Sequence, residues 1–175
     1  MQETDEATAA ATLRQGQIER YWAGDLARKT YLFRKQRKAI LEHCRRIAIV
    51  GASADPNSPI YIATEKLLGM GLEIIPVFPG RESLLGLRCY AKLSDVLGKL
   101  DIVQVYPCDG IDYEALAREA VTKGVNTFWM EPGLAASRAV EDILVNGKVH
   151  LVEYENLETE YLKHLPFPTA APAPR

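Results

Sequence analysis

Few residues of this chain are spaced for chemistry, and the most informative run is Gly51-Ala52-Ser53-Ala54-Asp55-Pro56-Asn57-Ser58-Pro59. Small residues at the head of such a turn let backbone N–H groups approach an anion, and a helix starting just beyond it turns its positive end the same way. Phosphate is the ligand chemistry this predicts. The same residues also suit a plain tight turn before a helix N-capped by Ser58, with Pro59 at the first helical position. Elsewhere the reactive groups are isolated. Cys108, after Tyr106-Pro107, is the best-placed nucleophile, yet no sequence neighbour would lower its pKa. Glu131, before Pro132-Gly133, suits a base, a hydrogen-bond acceptor for a ligand, or a loop cap. His43, His150 and His164 belong to no catalytic motif, and neither G-x-S-x-G nor H-E-x-x-H occurs. Binding is therefore expected ahead of catalysis.

These groups need elements to position them. Ile47–Val50 is a short apolar run ending at Gly51, followed by a helical pattern over Ile60–Met70 and a strand at Glu73–Phe78. After a loop holding Leu84–Leu87 and a brief helix near Leu93–Leu97, strands are expected at Asp101–Tyr106, Val125–Met130 and Val149–Tyr154. Helices are expected near Tyr113–Thr122, near Ala135–Val145 and at Asn156–Leu165. Strands apolar almost throughout and separated by helices indicate a parallel sheet covered on both faces. The expected fold class is α/β, a Rossmann-like three-layer sandwich with an N-terminal helical extension. Such sheets bind ligands beyond the carboxyl ends of the strands, where strand order reverses. The segments to inspect are therefore 51–58, 78–81, 106–110, 131–133 and 153–156. NAD is disfavoured, because one of the three glycines of G-x-G-x-x-G is present and no acidic residue ends the second strand. No Walker A sequence occurs.

The chain has 175 residues, 47% hydrophobic and 25% charged, as in ordinary globular proteins. The expected division is an extension over 1–44, helical and basic from residue 20, a domain over 45–164, and a disordered Pro/Ala-rich tail over 165–175. The absence of a long apolar run and the odd set of three cysteines lead to a cytoplasmic expectation, with no membrane, metal site or disulfide framework. Charge is unevenly spread. Residues 20–46 carry nine basic residues against Asp25 and Glu42, whereas residues 47–175 carry a net charge of −6. A basic helix bearing Trp22, Leu26, Phe33 and Ile40 ahead of an acidic body invites docking, so a homo-oligomer is expected, most simply a dimer with residues 20–44 on a neighbouring subunit. Nucleic acid is the less favoured reading of that helix.

A family resemblance rests on Ile47–Pro56, on Ile75-Pro76-Val77 with Pro79, on Gly86, and on Leu93-Ser94-Asp95. It continues through Asp101-Ile102-Val103, Ala120, Gly124 and Trp129-Met130 with Gly133. Taken in order, these residues resemble the small coenzyme A-binding domain proteins, which are similar to the nucleotide-binding domain of the succinyl-CoA synthetase alpha subunit. The resemblance implies coenzyme A as cofactor, its diphosphate on the turn of Gly51, Ala52 and Ser53 and its adenosine near Pro76–Pro79. Candidate contacts are Gly51, Ala52, Ser53, Ser58, Pro76, Phe78, Pro79, Tyr106, Pro107 and Gly133. The chain departs from the family at Asn57-Ser58, where a basic residue is usual, and at Phe78, where Asn is usual. Further departures fall at Tyr106-Pro107-Cys108, at Glu131, and at Glu153-Tyr154-Glu155. The function expected is non-catalytic binding of coenzyme A, an acyl-CoA or a related nucleotide. The alternative is an interaction protein of the same fold that has lost its nucleotide and acts through the basic helix on a protein or nucleic-acid partner.

Overall fold

The computed structural model describes residues 34–164. The expectations for the first part of the basic segment, with Trp22, Leu26 and Phe33, and for the tail lie outside the described residues. Helix α1 (Arg34–His43) leads into β1 (Arg46–Val50), α2 (Pro59–Gly69) and β2 (Glu73–Val77). A hairpin of β3 (Ser83–Leu84) and β4 (Leu87–Arg88) follows, then a 3₁₀ turn (Leu93–Asp95). The chain continues through β5 (Ile102–Val105), α3 (Tyr113–Thr122), β6 (Thr127–Met130), α4 (Arg138–Asn146), β7 (His150–Val152) and α5 (Leu157–His164). Five strands form one parallel sheet in the order β2-β1-β5-β6-β7. This is the Rossmann-like α/β architecture expected.

The two-residue period of a strand explains both hydrophobic layers. Val50, Val77, Val105, Phe128 and Met130 enter one core with Leu116 and Ala120 of α3 and Val140 and Leu144 of α4. At the alternate positions of the same strands, Ile49, Ile74, Ile102 and Trp129 enter the other, with Leu41 of α1, Leu67 of α2 and Leu157 and Tyr161 of α5. Because both faces are covered, the strands read as continuous apolar runs. Chain order steps from β1 to β2 on one side and returns to β5 on the other, so the strand order reverses between β1 and β5. The crevice expected for a ligand opens there.

Local chemistry accounts for most element boundaries. Ser58 caps α2 by accepting from the Ile60 N–H at 3.2 Å, and Pro59 occupies the first turn. Helix α4 starts at Arg138, later than the expected start near Ala135, because extended Ser137 caps it by accepting from Val140 N–H. The loop expected around Leu84–Leu87 contains a hairpin instead, closed by Leu85 and Gly86 with φ of 56° and 71°. Positive φ at both central residues is the turn that matches strand twist. Pro76 lies inside β2 and not in the loop after it; β2 is an edge strand, where a missing N–H breaks no ladder bond.

Helix α1 lies against α5 of its own chain. Leu41 is fully buried, and the Arg37 guanidinium reaches Glu160 at 3.1 Å and Glu155 at 3.4 Å. Arg37 and Leu41 of the basic segment thus find an acidic counterpart and apolar cover within the subunit.

Candidate functional site

The residues after β1 and β5 meet at the reversal of strand order. Gly51 has φ +81°, and a Cβ there would sit 3.0 Å from the Tyr106 carbonyl oxygen and 3.1 Å from Cys108 Cβ. Glycine is required twice over, by conformation and by close approach. The turn beyond it is held by its own polar groups. Ser53 Oγ accepts from Asp55 N–H at 3.2 Å, Asp55 Oδ1 accepts from Asn57 N–H at 3.0 Å, and Ser58 N–H donates to the Asp55 carbonyl at 2.9 Å.

Beside this turn a cleft of about 410 Å³ opens on the α3 side of the sheet. Its floor is Val50 and Gly51, one wall is Val77, Phe78 and Pro79 with Ala91–Leu93, and the other is 108–112 with the inner side of α3. Hydrogen bonds from Phe78 N–H to the Tyr90 carbonyl, 2.8 Å, and from Tyr90 N–H to the Pro76 carbonyl, 3.0 Å, fix the first wall. The Arg81 guanidinium lies 5.5 Å from the centre of the Phe78 ring, a cation–π contact. The opposite wall carries Asp109, Asp112 and Glu119. Asp112 caps α3 through Ala115 N–H at 2.9 Å, and Glu119 accepts from Ser94 N–H at 3.0 Å.

The sequence-predicted contacts divide among several places. Gly51, Phe78 and Pro79 line the cleft. Ala52, Ser53 and Ser58 form the adjoining turn, Ala52 buried and both serines half-buried. Pro76 is buried within β2. Tyr106 is buried in the core of the opposite face, its hydroxyl accepting from Gln104 Nε2 at 2.9 Å. Pro107 is exposed, and Gly133, with φ +101°, places its Cβ position 3.5 Å from the Pro107 ring. Lys92, Ile111 and Leu116 also line the cleft but stand at no strand end, so the sequence carries no strand-end signal for them, whereas Arg81 closes the strand-end segment 78–81.

Cys108 lines the cleft, half-buried, whereas Cys44 and Cys89 are buried. Burial pushes the Cys44 thiol up to about 12, so it is inert at neutral pH. Glu131 has a structural assignment. Its Oε1 accepts from Gln104 Nε2 at 2.7 Å and Leu157 N–H at 3.0 Å, and its Oε2 accepts from Asn156 Nδ2 at 2.9 Å. Burial raises its pKa, partly offset by those three donors. It ties β6 to the first turn of α5, which makes it the loop cap among the roles open to it. None of the three histidines lines the cleft.

Comparison with known proteins decides the family: the CoA binding domain model matches residues 45–158, about two thirds of the chain. The chain belongs to that family. This CoA-binding domain is 28% identical over 116 residues to the uncharacterized protein YneT of Bacillus subtilis (strain 168), covering 66% of this chain and 85% of that one. A hypothetical protein from Pyrococcus horikoshii OT3 superposes with a TM-score of 0.71 at 25% identity, covering 77% of this chain and 94% of that one. A conserved hypothetical protein from Pyrococcus furiosus gives 0.58 at 29% identity, covering 66% and 98%. Among the described residues, no helix is long and apolar enough to cross a membrane.

Proposed function

We propose that this CoA-binding domain binds coenzyme A or an acyl derivative without chemistry of its own. The observation that carries the reading is a cleft of about 410 Å³ at the strand reversal, within the range of small-molecule sites, in a chain of this family. The diphosphate lies on the Gly51, Ala52 and Ser53 turn, where backbone N–H groups and the α2 dipole favour an anion. The adenosine lies against Phe78 and Pro79, in a slot whose apolar sides are Val77, Leu93, Ile111 and Leu116. A purine there meets an aromatic face, and base–aromatic stacking contributes about 1–3 kcal/mol.

Isothermal titration of the full chain with coenzyme A, NAD and ATP tests this. Coenzyme A is expected to bind at least about tenfold more tightly than either comparator. Failure to bind coenzyme A ends the reading. Protein in which all three ligands fail but heparin binds in a salt-sensitive manner supports the interaction protein instead.

A further inference from the structure

The two walls of the cleft carry opposite charge. On the α3 side stand the carboxylates of Asp109, Asp112 and Glu119, the last accepting from the Ser94 N–H; on the β2 side Lys92 is the one cation of the lining among the described residues. Lys92 is exposed and occupies the N-cap position of the 3₁₀ turn without making a side-chain cap bond. Its ammonium group has no ion pair or hydrogen bond among the described residues. Two further cations belong to the same stretch of chain: Arg81 over the Phe78 ring, and Arg88 at 5.1 Å from the Tyr90 ring centre. Neither of these arginines forms an ion pair among the described residues.

Electrostatics then sorts a charged ligand within the cleft. The turn after β1 contains the Asp55 carboxylate and no cation, so its attraction for an anion comes from backbone dipoles alone. A phosphate set near the α3 wall meets like charge, whereas one near Lys92 meets an unpaired ammonium whose three donors are uncommitted. Coenzyme A carries a diphosphate and a separate phosphate on the ribose 3′ oxygen. With the diphosphate at the Gly51 turn and the adenosine against Phe78 and Pro79, the separate phosphate, carried on the adenosine's ribose, belongs to the part of the ligand on the wall that holds Lys92.

We propose that Lys92 is a specificity-determining residue that binds the ribose 3′-phosphate, so that the cleft selects coenzyme A over its dephospho form. The inference rests on the reading given under Proposed function and adds which part of the ligand is read and by what. A charge-assisted contact of this kind is stronger than a neutral one and weakens with salt.

The test is titration of the full chain, wild type and Lys92→Gln, with coenzyme A and dephospho-coenzyme A at low and high salt. Wild type is expected to prefer coenzyme A by about tenfold or more at low salt, with the preference shrinking as salt rises. Lys92→Gln is expected to lose about tenfold in coenzyme A affinity and to hold dephospho-coenzyme A within about twofold of wild type, while Lys92→Arg keeps the preference. Since the Lys92 side chain makes no hydrogen bond or ion pair among the described residues, its variants should melt with wild type, which separates lost recognition from lost fold. A wild type that binds both ligands equally overturns the proposal alone. So does a Lys92→Gln protein that keeps the preference or weakens both ligands alike. A wild type that binds neither ligand overturns the nucleotide reading beneath it.

Discussion

At the carboxyl edge of the sheet, two regions on opposite faces hold carboxylates and use them differently. On the α5 side, Glu131 is buried and both its oxygens are engaged by Gln104, Asn156 and the Leu157 N–H. On the α3 face of the sheet, the Asp109 carboxylate and the Lys92 ammonium stand in an open cleft without a side-chain partner among the described residues. A polar group that is buried and fully engaged fixes architecture, because leaving its partners unpaired costs about 1–3 kcal/mol. A polar group left free in a concave surface costs little in the empty protein and is available to a ligand. The difference separates the residues that build this edge from those that stand free for the proposed ligand.

The largest effect is expected where both regions depend on one backbone position. Gly51→Val introduces a β-branched side chain at φ +81° and brings its Cβ against the Tyr106 carbonyl. Left-handed conformation alone costs about 1–2 kcal/mol, and the contact adds to it. Coenzyme A binding should fall by more than about a hundredfold, with a lower Tm, because the turn can no longer lie close to the ligand. Unchanged affinity in the folded variant, measured by titration, would remove Gly51 from the site.

Glu131→Gln breaks the built region while sparing the open one. The new amide replaces one carboxylate oxygen with an NH2, which faces either Asn156 Nδ2 or the Leu157 N–H and Gln104 Nε2, all of them already donors. Denaturant unfolding at neutral pH should show a loss of about 1–3 kcal/mol, with coenzyme A affinity within about twofold of wild type. The pH dependence has a definite sign. The folded-state pKa of Glu131 is raised, so its folded form holds the proton more tightly than its unfolded form. Its contribution makes wild-type stability fall as pH rises from the ordinary carboxylate range through the raised value. The variant should lack that component of the slope. A variant more stable than wild type at neutral pH would show that burying the charge outweighs its three hydrogen bonds.

The same contrast explains what could be read before the fold was known. Apolar runs such as Ile47–Val50 and Ile102–Val105 announce strands buried on both sides, because parallel strands sealed by helices leave no polar face. The β3–β4 hairpin was illegible, since two-residue strands are too short to show an alternation. Within the site, Gly51, Phe78 and Pro79 were readable as strand-end residues. Tyr106 could have been placed by parity: it follows Val105, which faces the α3 core, so its ring turns to the other face. Lys92 and Leu116 carry no such signal. One follows a hairpin and the other looks like any apolar residue of an amphipathic helix, and tertiary folding alone brings them to the cleft.

Phe78→Asn sharpens the open region. If the ring stacks on the base, affinity for coenzyme A should drop by about 1–3 kcal/mol in titration, and Arg81 should lose its cation–π partner as well. Tighter binding in the variant would mean that the ring fills the space a base needs, and would turn the assignment of the slot around.

The smallest effect is expected from the clasp between α1 and α5, the part of the basic segment that the fold does account for. Burial works against ionisation of Glu160, but Lys163 and Arg37 outweigh it and hold its carboxyl below the usual range. A depressed folded-state pKa stabilises the protein above the unfolded value and is lost as pH falls through the folded one. Arg37→Ala should therefore cost about 1 kcal/mol or less at neutral pH, because Lys163 at 3.1 Å keeps Glu160 paired and Leu41 still anchors the helix. The gap between wild type and variant should narrow in acid, once Glu160 is protonated in both. The cleft lies beyond the sheet from this clasp, so coenzyme A affinity should be unmoved. A variant whose stability loss persists unchanged through the acid range would show that Arg37 acts by packing its stem and not by its charge.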